Sequence, residues 1–204
     1  MLAVARNIVS TNRWVHEGRW QTAIGVDVCG KTLGLMGFGA IAKNVARRAS
    51  GFGMKVLAYD PYVKELPEEF QSYVTLCGEN EVISGCDFLS LHLPLNDETR
   101  NMISAPQLAS MKAGAYVINA ARGGIVNEKD LYEALVSGHI AGAAMDVSEV
   151  EPMAKENPLR TLDNVIITPH IGMYSKEAIG AVSLICAQNV AACAAGAELK
   201  FQVV

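Results

Sequence analysis

The 204-residue sequence lacks any Cys-x-x-Cys pair and any block of like charges. Its five cysteines are few and scattered: Cys29, Cys77, Cys86, Cys186 and Cys193. This pattern disfavours a disulfide framework or a zinc site and favours reduced thiols in the cytoplasm. The net charge of −4 gives no basic surface for nucleic acid or an anionic membrane. The composition therefore predicts no metal, no nucleic-acid partner and no membrane partner.

Long uninterrupted hydrophobic segments are also missing. The N-terminal stretch 1–14 is broken by Arg6 and has no small-residue cleavage site, unlike a signal peptide. The stretch 179–197 is rich in alanine and contains Gln188 and Asn189, which favours a packed helix over a membrane span. Half of the residues are hydrophobic and 19% are charged, as in an ordinary globular domain.

What the sequence does contain is a regular alternation of short hydrophobic segments with helical ones. Strands are predicted at 31–37, 55–60, 87–93, 115–119, 140–147 and 164–169. Helices are predicted at 2–18, 40–51, 79–84, 104–111, 127–138 and 175–196. Continuous hydrophobic strands between helices are typical of a parallel sheet covered on both faces. The sequence therefore predicts an α/β fold, a three-layer doubly wound parallel sheet with a C-terminal helix.

Polar residues stand at the carboxyl ends of the predicted strands, where such sheets bind their ligands. These residues are Asp60, His92, Asn119, Arg122, Asp146 and His170. An arginine is always charged and offers a planar fork of donors. Arg122 follows a buried strand and precedes Gly123 and Gly124, so we expect it to project from this rim and bind an anion.

A glycine turn gives the fold a more specific form. Gly37 and Gly39 end a predicted strand immediately before a helix, and Ala42 replaces the third glycine of the dinucleotide fingerprint. Backbone N–H groups at such a helix start favour a pyrophosphate. The residues expected to supply them are Phe38, Gly39, Ala40 and Ile41. The pattern predicts a Rossmann-type sheet.

Asp60 ends the next predicted strand, where a carboxylate can accept hydrogen bonds from both ribose hydroxyls. A 2′-phosphate would be repelled there, and no arginine follows closely, so the sequence favours NAD over NADP. Two alternatives remain open at this point. Asp60 can be a turn residue before Pro61, and a methyltransferase cofactor site also uses a glycine turn and an acid on the second strand.

Arg122, Glu151 and His170 form the predicted catalytic set. Reduction of a 2-keto acid needs a cation for the carboxylate and a general acid that titrates near neutral pH. Arg122 can bind a carboxylate bidentately, and histidine has a suitable pKa. A neighbouring glutamate favours the charged histidine. Gly123 and Gly124 are expected to let substrate and cofactor approach the backbone.

Each of these residues also has a simpler interpretation. Arg122 can bind phosphate or close a salt bridge, and His170 can cap a strand by bonding a carbonyl. Glu151 can be a solvated loop acid, and Glu149 is a competing carboxylate two residues earlier. His92 can be structural or part of the site.

Five segments together resemble the D-isomer-specific 2-hydroxyacid dehydrogenase family, which includes D-3-phosphoglycerate dehydrogenase. They occur in the family's order and cover nearly the whole chain: GKTLGLMGFGAIAKNVARRASGFGMKVLAYDPY, CDFLSLHLPLNDETRNMI, MKAGAYVINAARGGIVNEKDLYEAL, GAAMDVSEVEP and NVIITPHIG. The resemblance implies NAD-dependent interconversion of a D-2-hydroxy acid and a 2-keto acid. It makes Arg122 the substrate-binding arginine, His170 the acid/base and Glu151 its partner. It also implies that the cofactor is lined by His92, Pro94, Asn119, Ala120, Ala121, Asp146 and Gly172.

The sequence departs from this family in its extent and at two positions. Residues 1–20 are predicted as an N-terminal helix and interface segment, 21–174 as the NAD-binding domain, and 175–204 as a C-terminal helix and tail. The family's substrate domain is largely absent, so we expect the chain to bind NAD but to reduce keto acids poorly by itself. Ala40 replaces a larger polar residue, and Ser148 replaces the family's usual phenylalanine.

Two further expectations concern assembly. Trp14 and Trp20 lie in a polar surround, and relatives dimerise through this domain, which predicts a homodimer. The segment HIGMYS is similar to the corepressor branch of the family, the C-terminal binding proteins, in which NAD controls assembly. A non-enzymatic NAD-responsive interaction module is therefore the alternative function.

Overall fold

Seven parallel strands form one sheet in the computed structural model, which describes residues 1–199. The strands are β1 Thr32–Met36, β2 Lys55–Tyr59, β3 Val74–Leu76, β4 Phe88–Leu91, β5 Ala115–Asn119, β6 Ile140–Met145 and β7 Val165–Ile167. They lie side by side in the order β3-β2-β1-β4-β5-β6-β7. The order reverses between β1 and β4, and in such sheets the crevice at this switch point is where ligands bind.

Within residues 1–199, two α-helices precede the strands and five connect or follow them. They are α1 Leu2–Ala5, α2 Ile8–His16, α3 Ala40–Gly51, α4 Glu79–Gly85, α5 Ala105–Ser110, α6 Glu128–Val136 and α7 Lys176–Ala194, with short 3₁₀ turns at Glu68–Phe70 and Pro158–Thr161. Side-chain caps fix several helix starts. Asn127 accepts the N–H of Asp130 at 3.0 Å at the start of α6, and Ser175 accepts that of Ala178 at 3.0 Å at the start of α7.

The core consists of two hydrophobic layers, one on each face of the sheet. On one face, α3 packs a stripe of buried alanines, Ala42, Ala46 and Ala49, against β1 and β2. On the other face, α4 and α6 contribute buried residues such as Val82 and Leu131. Small residues on α3 let this helix approach the sheet closely. The predicted three-layer Rossmann-type fold is confirmed.

The prediction of one continuous helix over 2–18 is wrong, because the structure has two helices there, α1 and α2. Asn7 adopts a left-handed conformation with φ of 53° and separates α1 from α2. Its side-chain amide donates to the carbonyl of Ile24 at 3.2 Å, and its own carbonyl accepts from Thr11. Asparagine tolerates this conformation better than most residues, and the contact with a distant segment favours the break.

The segment predicted as a loop around Pro61 and Pro67 leads into a strand that the sequence analysis missed. β3 has only three residues and pairs with β2 at the sheet edge, with Val74 opposite Val56. Val74 is buried, whereas Thr75 is exposed. A three-residue edge strand is too short for its periodicity to be read in the sequence.

The chain forms two compact units, residues 1–169 and a second that begins at His170. The second unit contains α7, none of whose residues is buried. Among residues 1–199, α7 alone is long and apolar enough to cross a membrane by length and composition, with a mean hydropathy of 1.4. Length and composition alone are weak evidence for a membrane span, because the core helices of soluble proteins share both properties.

Candidate active site

The turn after β1 is built around two glycines with different requirements. Gly37 has a φ of 89°, and a Cβ on it would lie 2.6 Å from the carbonyl oxygen of His92. Its N–H donates to the carbonyl of Tyr59 at 2.7 Å, which ties the turn to β2. Gly39 is the N-cap of α3, and a Cβ on it would meet nothing within 4 Å. The turn is therefore closed at Gly37 and open at Gly39.

The open side of this turn presents the first backbone N–H groups of α3. Ala40 and Ile41 begin the helix with exposed side chains, and their N–H groups precede the first intrahelical bond, from Lys43 to the carbonyl of Gly39 at 2.9 Å. Such groups, together with the helix dipole, favour an anion. Ala42 is fully buried beneath them, as a small third residue of the fingerprint should be.

Asp60 fixes the turn from the end of β2. One carboxylate oxygen accepts the N–H of Phe38 at 2.8 Å and the other accepts that of Tyr62 at 2.9 Å. The expectation that the Phe38 N–H faces a phosphate is therefore wrong, because Asp60 already occupies that donor. Each carboxylate oxygen has a second acceptor site, so Asp60 can still accept from two ribose hydroxyls.

His92 and Pro94 line the neighbouring turn after β4. The N–H of His92 donates to the carbonyl of Met36 at 2.8 Å, and its Nε2 lies 3.0 Å from the hydroxyl of Ser90. Burial lowers the pKa of His92 to about 4, so the ring is neutral at pH 7. Pro94 is exposed, and its carbonyl accepts from the Thr99 hydroxyl at 2.6 Å. His92 is thus a neutral wall of the glycine turn and not a proton donor near neutral pH.

Asn119 shapes the loop that carries Arg122. It is fully buried at the end of β5, where its Nδ2 donates to the carbonyl of Arg122 at 2.9 Å and its Oδ1 accepts from the N–H of Ala121 at 3.1 Å. This closed turn brings Ala120 and Arg122 to the exposed rim. Asn119 therefore fixes the conformation of the loop that carries Arg122.

Arg122 is exposed and donates through Nη1 to the carbonyl of Ala121 at 2.6 Å. No carboxylate within the described residues forms an ion pair with it. Within residues 1–199, Arg122 therefore does not form the salt bridge that the sequence left open. The remaining donors of its guanidinium are available to a planar anion.

The first of the two glycines after Arg122 is required by packing within the fold. A Cβ on Gly123 would lie 1.8 Å from the carbonyl oxygen of Ser148, and Gly124 has a φ of 82° and neighbours from Leu95. The expectation that these glycines admit substrate and cofactor is therefore wrong for Gly123. The close approach joins the Arg122 loop to the loop after β6.

The loop after β6 carries three acids with different partners. Asp146 accepts from the Thr168 hydroxyl, and its N–H donates to the carbonyl of Asn119 at 2.8 Å. Glu149 accepts the N–H of Glu128 at 2.9 Å, which caps α6. Glu151 accepts the N–H of Ser148 at 3.2 Å. Because Glu149 already bonds the start of α6, it is a weaker candidate than Glu151 for the partner of His170.

His170 and Gly172 belong to the second unit. His170 follows β7 by three residues and has a φ of 55°, a left-handed conformation that histidine adopts more readily than most residues. It is exposed, as is Gly172. Both precede Ser175, the cap of α7.

Sequence reasoning missed one residue of this rim, the buried Glu128. Its carboxylate accepts from the Ser148 hydroxyl at 2.9 Å, the Glu149 N–H at 2.7 Å and the Asn157 amide at 2.6 Å. Its position at a helix start gave it the appearance of an ordinary acidic first-turn residue. No local signal distinguishes a buried acid in that position from an exposed one.

Comparison with known proteins gives a consistent result. Residues 1–172 match the family described as "D-isomer specific 2-hydroxyacid dehydrogenase, NAD binding domain". D-3-phosphoglycerate dehydrogenase of Methanocaldococcus jannaschii is 44% identical over 192 residues, which cover 93% of this chain and 36% of the relative.

Two solved structures are similar over the whole of this chain. A glyoxylate reductase from Paecilomyes thermophila has a TM-score of 0.92 and 34% identity, and the match covers 62% of that chain. D-lactate dehydrogenase with NAD⁺ from Lactobacillus jensenii has a TM-score of 0.87 and 32% identity, and the match covers 65% of that chain. The chain thus spans about one third to two thirds of the length of these relatives. Their names are those of dehydrogenases and reductases, and they lend no support to a non-enzymatic module.

Proposed function

The chain belongs to the NAD-binding domain family of the D-isomer specific 2-hydroxyacid dehydrogenases, and from this we propose that it serves NAD-dependent interconversion of a D-2-hydroxy acid and a 2-keto acid. The observation that carries the proposal is Arg122, an exposed guanidinium without a carboxylate partner among the described residues. It stands on the same edge of the parallel sheet as the glycine turn.

NAD is the cofactor of this family, and the residues of the glycine turn fit it. The open face of Gly39 and the N–H groups of Ala40 and Ile41 would hold the pyrophosphate. Asp60 would hold the ribose through its two remaining acceptor sites, and its negative charge favours NAD over NADP. Bound NAD would supply or accept the hydride. The residues assigned to its lining are His92, Pro94, Asn119, Ala120, Ala121, Asp146 and Gly172.

We assign the substrate chemistry to Arg122, Glu151 and His170. Arg122 would bind the carboxylate of a small 2-hydroxy or 2-keto acid bidentately. It would also polarise the oxygen at carbon 2, where the hydride is transferred. His170 would give a proton to the developing alkoxide, and Glu151 would favour the protonated ring. His92 is unsuited to this task, because its pKa of about 4 leaves it neutral at the working pH.

A binding experiment tests the role of Arg122 directly. Oxamate resembles a 2-keto acid but accepts no hydride, so its affinity for the NADH-loaded chain can be measured by calorimetry. Arg122→Gln removes the fork and should weaken oxamate about tenfold to hundredfold, because a charge-assisted bond is lost. Arg160→Gln is the matched control, since Arg160 is also exposed and also donates to one carbonyl, that of Ala154. Absence of oxamate binding, or equal loss in both variants, would contradict the proposal.

We further propose that the protein acts as a homodimer in the cytoplasm. Trp20 is 90% exposed and Ile24 is 101% exposed, close in sequence to exposed apolar residues of α2 such as Val15. Exposed apolar side chains that are close together in the sequence favour an interface. All five cysteines are free, in keeping with a reducing compartment.

Light scattering at micromolar concentration tests the assembly. The dimer mass is expected for the unaltered chain, and Trp20→Ser should shift it toward the monomer. Tyr62→Ser is a suitable control, because Tyr62 is 88% exposed and lies outside this segment. A monomeric mass for the unaltered chain would end the proposal.

A further inference from the structure

We propose that Glu128 is a positioning residue that holds the Glu151 loop in register with the Arg122 loop. This inference rests on the proposed function, because it assigns a task to the support of that site. Glu128 is only 9% exposed, and a carboxylate that is removed from water must find donors or destabilise the fold. All of its three side-chain partners come from the segment after β6.

The three donors fix both ends of the segment that contains Glu151. The hydroxyl of Ser148 and the N–H of Glu149 bond the same oxygen of Glu128, at 2.9 and 2.7 Å. Asn157 bonds the other oxygen at 2.6 Å through its amide group. Glu151 lies between these attachment points. Its own carboxylate accepts the N–H of Ser148 at 3.2 Å, so the residue that Glu128 holds is the one that holds Glu151.

The same anchor reaches the arginine loop through a backbone contact. The carbonyl of Ser148 packs against Gly123, where a Cβ would approach to 1.8 Å. Gly123 directly follows Arg122 in the chain. A shift of Ser148 is therefore transmitted to the arginine on one side and to the glutamate on the other. Glu128 touches neither functional side chain in these bonds and acts on both through Ser148.

The anchor at Ser148 depends on the particular residues of this chain. A side chain without a hydroxyl at position 148 would have no donor for Glu128. The reciprocal bond from the Glu128 N–H to Glu149 at 2.9 Å closes the arrangement at the start of α6. The helix dipole there favours both carboxylates.

A substitution that conserves the shape of the side chain, combined with a designed rescue, tests the proposal. In Glu128→Gln the side-chain oxygen can keep Ser148 and Glu149, but its amide then opposes the Asn157 amide. Asn157 cannot simply turn over, because its Oδ1 already accepts the N–H of Leu159 at 3.0 Å. Asn157→Asp supplies a second acceptor oxygen, so the double variant E128Q/N157D should restore the bond that each single variant loses.

The first readout is amide hydrogen exchange at Ser148 and Glu149, followed by NMR. Glu128→Gln should speed exchange severalfold, because the segment loses its attachment at Asn157 and its remaining bonds are to a neutral oxygen. The double variant should return toward the unaltered rate. Asp130→Asn is the matched control, since it removes a carboxylate from the same helix turn whose partner is the N–H of Ala105 and not this loop.

The second readout is oxamate affinity with NADH bound. Glu128→Gln should weaken oxamate severalfold and leave NADH affinity unchanged, and the double variant should recover it. Failure of the unaltered chain to bind oxamate would refute the proposed function alone, and the exchange rates would still decide whether Glu128 holds the loop. Unchanged exchange in Glu128→Gln, or faster exchange without rescue, would overturn the positioning role. So would undiminished oxamate affinity in Glu128→Gln. If that variant does not fold, Ser148→Ala removes one donor and should show the same changes at smaller size.

Discussion

The turn after β1 and the loops after β5 and β6 lie on one rim but are held by different means. The glycine turn is held mainly through its own backbone atoms. Gly37 packs against the carbonyl of His92, and the Phe38 N–H is fixed by Asp60. The requirements of such a turn fall on a few neighbouring positions, so they are visible as a motif in the sequence.

The loops after β5 and β6 are held instead by buried side chains that are distant in sequence. Asn119 folds the arginine loop, and Glu128 anchors Ser148 twenty residues further along the chain. Gly123 joins the two loops through a backbone contact. The comparison teaches that the cofactor half of the rim can be recognised from a motif of neighbouring residues, whereas the residues that hold the substrate half are scattered along the chain.

The largest expected effect comes from replacing one glycine by alanine in each half of the rim. Gly123→Ala would drive a Cβ to 1.8 Å from the Ser148 carbonyl, whereas the same change at Gly39 meets nothing within 4 Å. We expect Gly123→Ala to cost about 3 kcal/mol or more of unfolding free energy and Gly39→Ala no more than about 1 kcal/mol.

The binding readout should show the opposite order for these two variants. Gly39→Ala fills the open approach to the helix start, so NADH affinity should fall although the fold is retained. Urea unfolding and NADH calorimetry on both variants measure the two effects. Equal stability of the two variants would contradict the distinction between the halves.

The second effect concerns the buried side chain that folds the arginine loop. Asn119→Ala leaves the N–H of Ala121 and the carbonyl of Arg122 without their partner. We expect the free energy of unfolding, measured with urea, to fall by about 2–3 kcal/mol, because these partly buried groups are left without a hydrogen-bond partner. Asn164→Ala provides a comparison, since that side chain makes a single bond, to the carbonyl of Ala141 at 3.1 Å. An effect of Asn119→Ala no larger than that of Asn164→Ala would weaken the account of this loop.

Most of the fold could be predicted from the sequence because its signals are local and periodic. Six of the seven strands match hydrophobic segments that alternate with helical patterns. The break at Asn7 could not be predicted, because it depends on a bond to Ile24 outside the helix. The short strand β3 escaped detection because three residues carry too little periodicity.

The site divides in the same way. The glycine turn and the rim position of Arg122 followed from residue types at strand ends. The capture of the Phe38 N–H by Asp60, the packing of Gly123 and the anchor at Glu128 are contacts between distant segments. No residue type signals such contacts by itself, so they required the structure.

The third effect is a pH dependence located in the wall of the glycine turn. His92 has a pKa of about 4 in the folded chain, below the value of about 6.5 that histidine has when exposed. The unfolded chain therefore binds more protons between these values. Burial of His92 should leave the free energy of unfolding unchanged above about pH 6.5 and lower it by at most about 3 kcal/mol as the pH falls toward 4.

Two histidine variants isolate this contribution. His92→Gln should flatten the fall in stability between pH 6.5 and pH 4, because the titrating ring is gone while the backbone contacts of the turn remain. His16→Gln, at an exposed position, is the comparison variant. Identical profiles of stability against pH for His92→Gln and the unaltered chain would show that burial of His92 does not cause the loss of stability in acid.

The most direct test of the central claim is NADH titration by calorimetry on the unaltered chain, Asp60→Asn and Asp27→Asn. Asp27 is an exposed acid outside the rim, so its variant controls for loss of charge. The account predicts NADH binding that weakens about tenfold in Asp60→Asn, the size expected for one lost hydrogen bond to a charged group, and that is unchanged in Asp27→Asn. Absence of NADH binding to the unaltered chain, or equal affinity in all three proteins, would contradict a cofactor site at the glycine turn.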